Sequence, residues 1–121
     1  MKKNMKKLSV KDLNILKAKF ETLTFNTAFD LVYEKQVPNT GVVLLGGELE
    51  LLRHKQVQAR ISPGCILGLQ QMVNNEPVKL GCKVKENSVL IMIQKSDIME
   101  ALENSSSDLH RIFSDGITSD R

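Results

Sequence analysis

Histidine and cysteine side chains are the first candidates for catalytic or metal chemistry in this sequence, and their spacing favours neither. His54 and His110 are far apart, and neither has a cysteine or a carboxylate at a ligand spacing such as H-x-x-x-H. Cys65 and Cys82 fall on predicted core positions, where cysteine behaves as a small hydrophobic residue. No base can be assigned to activate either thiol. These residues predict a protein that is not an enzyme and that uses no metal and no other cofactor.

Carboxylates, glycine-rich turns and lysines are the remaining candidates. Glu48 and Glu50 share a strand face, but no second catalytic group accompanies them. Gly46-Gly47 and residues 64–68 are not phosphate loops, because no Lys-Ser or Lys-Thr pair follows them. Three lysines form a basic stripe: Lys79, Lys83 and Lys85. We interpret this stripe as a solvated edge that discourages strand aggregation, in preference to an anion site.

Length and composition indicate one globular domain with an aliphatic core. The chain has 121 residues, with four Phe, one Tyr and no Trp. Residues 1–19 hold seven lysines and one acid, whereas the rest has ten basic and thirteen acidic residues. Such a basic arm suits nucleic acid, an acidic partner or an anionic membrane surface, but a solvated, frayed terminus is the favoured interpretation.

The apolar runs are too short for a signal-peptide core or a membrane span. The longest, such as Val89 to Ile93, cover only a short strand. We therefore expect a cytoplasmic protein with no membrane span, in which both cysteines stay reduced.

The spacing of apolar residues predicts the order of the elements. A stripe at helical spacing after Ser9 predicts a helix over roughly residues 9–21. The period then changes to two, and Gly46-Gly47 is predicted as a tight hairpin turn. His54-Lys55-Gln56 is predicted as a polar loop, and the alternation from Val78 to Val84 predicts a half-buried strand.

The last part of the chain predicts helix again. Ser96 is predicted as the cap of a C-terminal helix, and a frayed tail is predicted beyond Gly116. One short helix, about seven or eight short strands and a C-terminal helix favour a small sandwich or barrel. We divide this single domain into a basic arm with a short helix (1–24), a β-roll (25–95) and a C-terminal helix with its tail (96–121).

Three segments together resemble the cyclic-nucleotide-binding domain family, which includes the catabolite-activator type of bacterial regulator. Residues 41–51 (GVVLLGGELEL) are similar to a hairpin of that family, and residues 61–68 (ISPGCILG) to the approach to its phosphate-binding cassette. Residues 86–93 (ENSVLIMI), followed by residues 95–98 (KSDI), are similar to its last strand and the start of its C-terminal helix. The resemblance covers roughly residues 29–113 and implies a mainly β fold, a β-roll of the jelly-roll type flanked by helices.

The family's binding contacts lie in the cassette, which corresponds here to residues 68–81. Gly68 matches the family's glycine, but Leu69 stands where a Glu accepts from the ribose hydroxyl. Pro77 matches the proline, but Val78 stands where an Arg neutralises the cyclic phosphate. Loss of a charge-assisted contact costs about 1.5–3 kcal/mol. The other residues expected in this vestigial or remodelled pocket are Gln70, Gln71, Lys79, Leu80 and Gly81.

The resemblance therefore implies a non-catalytic regulatory or signalling module with a degenerate site. We expect cyclic AMP and cyclic GMP to bind weakly or not at all, and the module to act through a protein partner or as a homodimer. The candidate dimer stripe is Leu109, Ile112 and Phe113. The alternative is a sensor of another nucleotide, a cyclic dinucleotide or a less polar metabolite. Sequence-specific DNA binding is not expected, because the residues up to Arg121 leave no room for a recognition helix.

Overall fold

The computed structural model describes residues 7–119, which contain four helices and eight strands. The helices are α1 (Val10–Lys19), α2 (Leu69–Asn74), α3 (Lys95–Glu103) and α4 (Asp108–Ser119). The strands are β1 (Thr22–Phe25), β2 (Phe29–Val32), β3 (Thr40–Gly46), β4 (Leu49–Arg53), β5 (Gln56–Ile61), β6 (Ile66–Leu67), β7 (Gly81–Val84) and β8 (Ser88–Gln94). The predicted order of a helix, short strands and C-terminal helix is confirmed.

The eight strands form two antiparallel sheets of four strands each. Their orders are β1-β8-β3-β6 and β2-β7-β4-β5. Within residues 7–119, only the connection from β4 to β5 joins two strands of the same sheet, and every other connection crosses between the sheets. This arrangement, with helices on the outside, confirms the predicted β-roll.

The hairpin predicted at Gly46-Gly47 is wrong, because this turn carries the chain from one sheet to the other. β3 pairs with β6 and β8, whereas β4 pairs with β5 and β7. Gly47 has a φ of +85°, and a Cβ there would lie 2.6 Å from the Cα of Ser88. The buried Ser88 Oγ accepts from the Glu48 N–H at 3.2 Å and donates to the Glu48 carbonyl oxygen at 3.3 Å. The crossover therefore closes tightly onto the start of β8.

The tight hairpin turn lies instead at His54-Lys55, inside the segment predicted as a polar loop. These two residues have φ values of +53° and +66°, and the flanking Arg53 and Gln56 are paired in register. Two consecutive residues with positive φ make a type I′ turn, which suits the twist of a two-residue hairpin. Neither residue is Asn or Gly, the usual signals for this turn, and the sequence therefore did not predict it.

Two hydrophobic clusters divide the interior. The first cluster packs helices against the β1-β8-β3-β6 sheet and includes Leu16, Ile91 and Phe113, all fully buried. The second cluster fills the space between the two sheets and includes Cys65 and Cys82. Full burial of one large apolar side chain contributes about 1.5–3 kcal/mol. The aliphatic core and the buried cysteines are confirmed.

Contacts at its N-terminal end hold α1 against the body of the protein. The Ser9 side chain accepts from the Asp12 N–H at 3.1 Å, which confirms the predicted cap. Leu8 donates its N–H to the Gly64 carbonyl oxygen at 2.7 Å, and Lys7 pairs with Cys65. The frayed terminus predicted from the lysines is thus wrong for Lys7 and Leu8. The first six residues of that predicted arm lie outside the described residues.

Three further element boundaries differ from the predictions. β1 pairs with β8 over all four of its residues and was not predicted. α3 begins at Lys95 with Gln94 at its N-cap, two residues before the predicted Ser96 cap. α4 continues to Ser119, whereas a frayed tail was predicted beyond Gly116. Among residues 7–119, no helix combines the length and apolarity that a bilayer crossing requires.

Candidate ligand-binding site

The start of the cassette is a short helix that follows a left-handed glycine. β6 leads into Gly68, which has a φ of +85° and serves as the N-cap of α2. Asn75 ends the helix at a φ of +56°, and its N–H donates to the carbonyl oxygens of Gln71 and Met72. Both positions favour residues that tolerate positive φ, so this helical turn between Gly68 and Asn75 follows from the sequence.

Leu69, predicted from the sequence resemblance to stand at the position of the family's acid, lies in the helical core. Its side chain is 1% exposed and belongs to the first hydrophobic cluster. A Cβ on Gly41 of β3 would lie 2.7 Å from Leu69 Cδ2, and a Cβ on Gly116 of α4 would lie 2.8 Å from Leu69 Cδ1. Leu69 therefore fills a slot between β3 and α4 that two glycines leave open.

The remaining α2 residues are apolar or uncharged. Met72 is 1% exposed and packs with Leu69 in the same cluster. Gln70 and Gln71 are half-buried. The helix has no acidic residue in its first turn and no basic residue in its last turn. The cassette helix thus places no charged side chain of its own at the site.

The second half of the cassette is held by main-chain contacts with the loop after β2. The Val78 N–H donates to the Gln36 carbonyl oxygen at 2.8 Å, and the Lys35 N–H donates to the Val78 carbonyl oxygen at 2.9 Å. Val78 and Leu80 are half-buried and Lys79 is exposed. The strand predicted from Val78 is wrong for its first three residues, because Val78 pairs with a loop and sheet pairing begins at Gly81.

Gly81 is buried where β7 begins. A Cβ there would lie 3.2 Å from the Val32 carbonyl oxygen and 3.4 Å from the Glu34 nitrogen. Because the loop after β2 approaches this closely, a larger side chain at position 81 would require the loop to shift. Gly81 is thus a packing position at the start of β7.

Solved structures match this arrangement over most of the chain. A structure from work on a cyclic-GMP-dependent signalling pathway in bacterial phytopathogenesis has a TM-score of 0.71 at 14% identity, covering 88% of this chain and 87% of that one. The catabolite activator protein of Thermus thermophilus has a TM-score of 0.68 at 10% identity. The match covers 93% of this chain and 53% of the Thermus protein, about half of its length.

The N-terminal domain of a transcriptional regulator from Streptomyces coelicolor A3(2) is also similar, with a TM-score of 0.68 at 16% identity over 92% of this chain and 82% of that one. This chain has the cyclic-nucleotide-binding fold. No protein-family model and no curated protein matches the sequence. The resemblance read from the sequence is confirmed at the level of the fold.

Within this cyclic-nucleotide-binding fold, the predicted basic stripe does not lie at a sheet edge. β7, which carries Lys83, lies between β2 and β4. Glu50 faces Lys83 in register, and its carboxylate lies 3.6 Å from Arg60 Nε and 3.8 Å from Lys85 Nζ. The Glu50 side chain is only 11% exposed. The edge interpretation is therefore wrong for Lys83, and Lys85, with Arg60, balances the Glu50 carboxylate on the outer face of an inner strand.

The predicted dimer stripe on α4 faces the protein's own core. Ile112 is 1% exposed and Phe113 is fully buried, while Leu109 is half-buried. The Phe113 ring contacts the Phe20 ring with centroids 6.5 Å apart. In this arrangement Ile112 and Phe113 present no surface to a second copy, and a homodimer through α4 stays a prediction.

Both cysteines and His110 take structural positions. Burial raises the pKa of the Cys82 thiol to about 12 and also raises that of Cys65, where Lys7 opposes the shift. Such thiols stay protonated and react slowly. His110 Nδ1 lies 2.9 Å from the Leu102 carbonyl oxygen. Over residues 7–119, no three His, Cys, Asp or Glu side chains come together in a way that could hold a metal ion.

Two hollows lie outside the cassette, and sequence reasoning identified neither. One, of about 300 Å³, lies between the start of α1 and α4, beside the Asp12–Arg111 ion pair. The other, of about 560 Å³, lies between the end of α1 and α3. The sequence held one indication of the second hollow. The acids at positions 97 and 100 lie three residues apart and therefore share a helix face. The wall opposite them comes from residues about 80 positions away in the sequence, which no local pattern reveals.

Proposed function

We propose that this protein is a non-catalytic regulatory or signalling module with a degenerate cyclic-nucleotide site, and that it acts through a protein partner. The observation that carries this proposal is the position of Leu69. A ribose hydroxyl there would need an acceptor, but the side chain is aliphatic and is packed between Gly41 and Gly116. Burying an unpaired hydroxyl costs about 1–3 kcal/mol, so this position disfavours nucleotide binding.

The phosphate position supports the same conclusion. Val78 offers no positive charge, and both its N–H and its carbonyl group are already hydrogen-bonded to the loop after β2. The neighbouring Lys79 is exposed and lies outside β7. A cyclic phosphate at this position would lose water without gaining a cation.

Isothermal titration calorimetry of the full chain with cyclic AMP and cyclic GMP tests the proposal. We expect no heat of binding at micromolar ligand. Val78→Arg restores the missing cation and is the matched variant. If this variant binds a cyclic nucleotide measurably while the wild type does not, the cassette backbone is still suited to the ligand and only the binding side chains have been lost. Micromolar binding by the wild type would overturn the proposal.

A second candidate is a sensor of a less polar ligand, and one row of side chains favours it. Val42 of β3 pairs with both Leu67 and Met92, and all three belong to the cluster between the sheets. Leu67 and Met92 are half-buried, and Leu67 directly precedes Gly68. An apolar row that leads to the cassette suits a hydrocarbon-rich ligand. Thermal-shift screening of nucleotides and apolar metabolites, with Leu67→Asn as the control variant, separates this candidate from the first.

A further inference from the structure

A shallow groove on the helical side of the molecule has an apolar floor. It lies between the end of α1 and the face of α3, and its volume is about 560 Å³. Phe20 and Leu109 are half-buried in its floor, and Ala101 is 6% exposed. The Phe20 ring also contacts the buried Phe113 ring in a tilted arrangement, so the floor is continuous with the first hydrophobic cluster. Because the floor is anchored in the core, the groove keeps its shape without an occupant.

The rim of this groove is acidic. Asp97, Glu100 and Glu103 are all exposed and line it from α3, at spacings of three residues along the helix. Lys19 is the basic residue among its described lining residues, so the carboxylates outnumber the cations by two. Carboxylates three residues apart on one helix repel each other, at a cost of about 0.2–0.5 kcal/mol for each pair.

Among residues 7–119, no ion pair neutralises these three carboxylates. Each of the ion pairs recorded for residues 7–119 involves other acids. Glu103 also lies at the C-terminal end of α3, where the helix dipole favours a positive charge and where the last turn carries no basic residue. The polar neighbours Asn104 and Ser107 hydrogen-bond each other and do not offset the charge.

We infer that this groove is a docking site for a lysine- or arginine-rich segment of a partner protein, with an apolar side chain of that segment seated on Phe20 and Leu109. This inference rests on the proposed function, since it names the surface through which the module meets its partner. The acids alone would be an ordinary solvated helix face. The apolar floor of the groove lies beside these acids, so that an apolar side chain of the partner can be buried next to the partner's own cations, which pair with the rim. Nucleic acids and anionic membranes are repelled by the same rim.

Fluorescence anisotropy with a dye-labelled synthetic peptide of alternating lysine and leucine tests the inference on the full chain. We expect saturable binding that weakens as salt rises, and weaker binding of a lysine–serine peptide that lacks the apolar contact. Glu100→Lys places a cation in the rim and should lower the affinity at least about tenfold, which equals about 1.4 kcal/mol. Glu76→Lys makes the same change of net charge at an exposed position outside the groove and should change the affinity less than about twofold. Circular dichroism of both variants confirms that they are folded.

Several results would overturn the inference. Equal losses in Glu100→Lys and Glu76→Lys would mean attraction to net charge alone, and equal binding of the two peptides would mean that the floor takes no part. A full chain that self-associates in analytical ultracentrifugation, and becomes monomeric in Glu100→Lys, would make a second copy the occupant. None of these results involves a cyclic nucleotide, so this inference and the proposed loss of nucleotide binding fail independently.

Discussion

Leu69 and Gly116 are in direct contact, and this contact joins the cassette helix to the last helix of the chain. A Cβ on Gly116 would lie 2.8 Å from Leu69 Cδ1 and 3.2 Å from Ile66 Cγ2. The same leucine lies against Gly41 on its other side. Leu69, which the sequence resemblance places at the position of the family's sugar-binding acid, therefore helps to hold α4 on the roll.

A double-mutant cycle at this contact should be strongly non-additive. Gly116→Ala in a helix would ordinarily stabilise by about 0.5–1 kcal/mol, but here the new methyl group collides with Leu69, and we expect a loss of about 1–3 kcal/mol. Leu69→Ala leaves a cavity and should cost about 2–5 kcal/mol. The double variant should lose less than the sum of the two, because the alanine at 116 enters the vacated space. Urea unfolding measures all three, and additive losses would contradict the contact.

The Asp12–Arg111 pair should make stability depend on pH in the acid range. The hydrogen bond from Arg111 lowers the pKa of Asp12 below its ordinary value. An acid with a lowered pKa stabilises the folded state above its unfolded pKa, near 4, and this contribution is lost as the pH falls through the folded pKa. Asp12→Asn should therefore flatten the fall of the melting temperature below about pH 4. Asp97→Asn, an exposed acid without an ion pair among residues 7–119, serves as the control. Identical profiles for the two variants would argue against the pair.

Both cysteines should resist alkylation in the folded protein at neutral pH. Cys65 and Cys82 are 3% and 7% exposed, and burial raises the pKa of each thiol. The thiolate is the reactive form, so labelling by iodoacetamide should need local or global opening. Mass spectrometry should find little adduct in buffer and two adducts in urea. Rapid labelling of Cys82 in buffer would show that the space between the sheets is open.

The hairpin turn at His54-Lys55 should accept a stabilising replacement. Both residues adopt positive φ, which costs most residues energy but suits Asn followed by Gly. The paired change His54→Asn and Lys55→Gly should raise stability by about 1–2 kcal/mol. The bond from the residue 54 N–H to Glu34 Oε1, at 2.7 Å, uses the main chain and is kept. Lys83→Gly, within the inner strand β7, should lower stability instead. A thermal melt measures both, and no gain from the turn variant would count against the type I′ geometry.

Local patterns predicted those parts of the fold whose causes are local. The Ser9 cap and the helical stripe that includes Leu16 were both predicted from neighbouring residues. The predicted loss of cassette contacts was inferred in the same way, because the sequence has Leu69 and Val78 where the resemblance expects Glu and Arg. Strand pairing was not predicted, because a Gly-Gly pair such as Gly46-Gly47 is compatible both with a hairpin turn and with a crossover between two sheets.

The sequence by itself determined the aliphatic interior, the β-roll with its flanking helices, and the apolar residues Leu69 and Val78 at the two positions where the resemblance predicts an acid and an arginine. Tertiary structure alone decided which strands pair, that Leu69 faces α4, and that Asp12 meets Arg111 across 99 positions of the chain. It also formed the groove between α1 and α3 and turned Ile112 and Phe113 inward. The physical reason is that side-chain type and helix or strand period are properties of adjacent residues. Which strands and side chains pair with each other depends on which distant surfaces of the chain bury the most apolar area together. That is decided only when the whole chain packs.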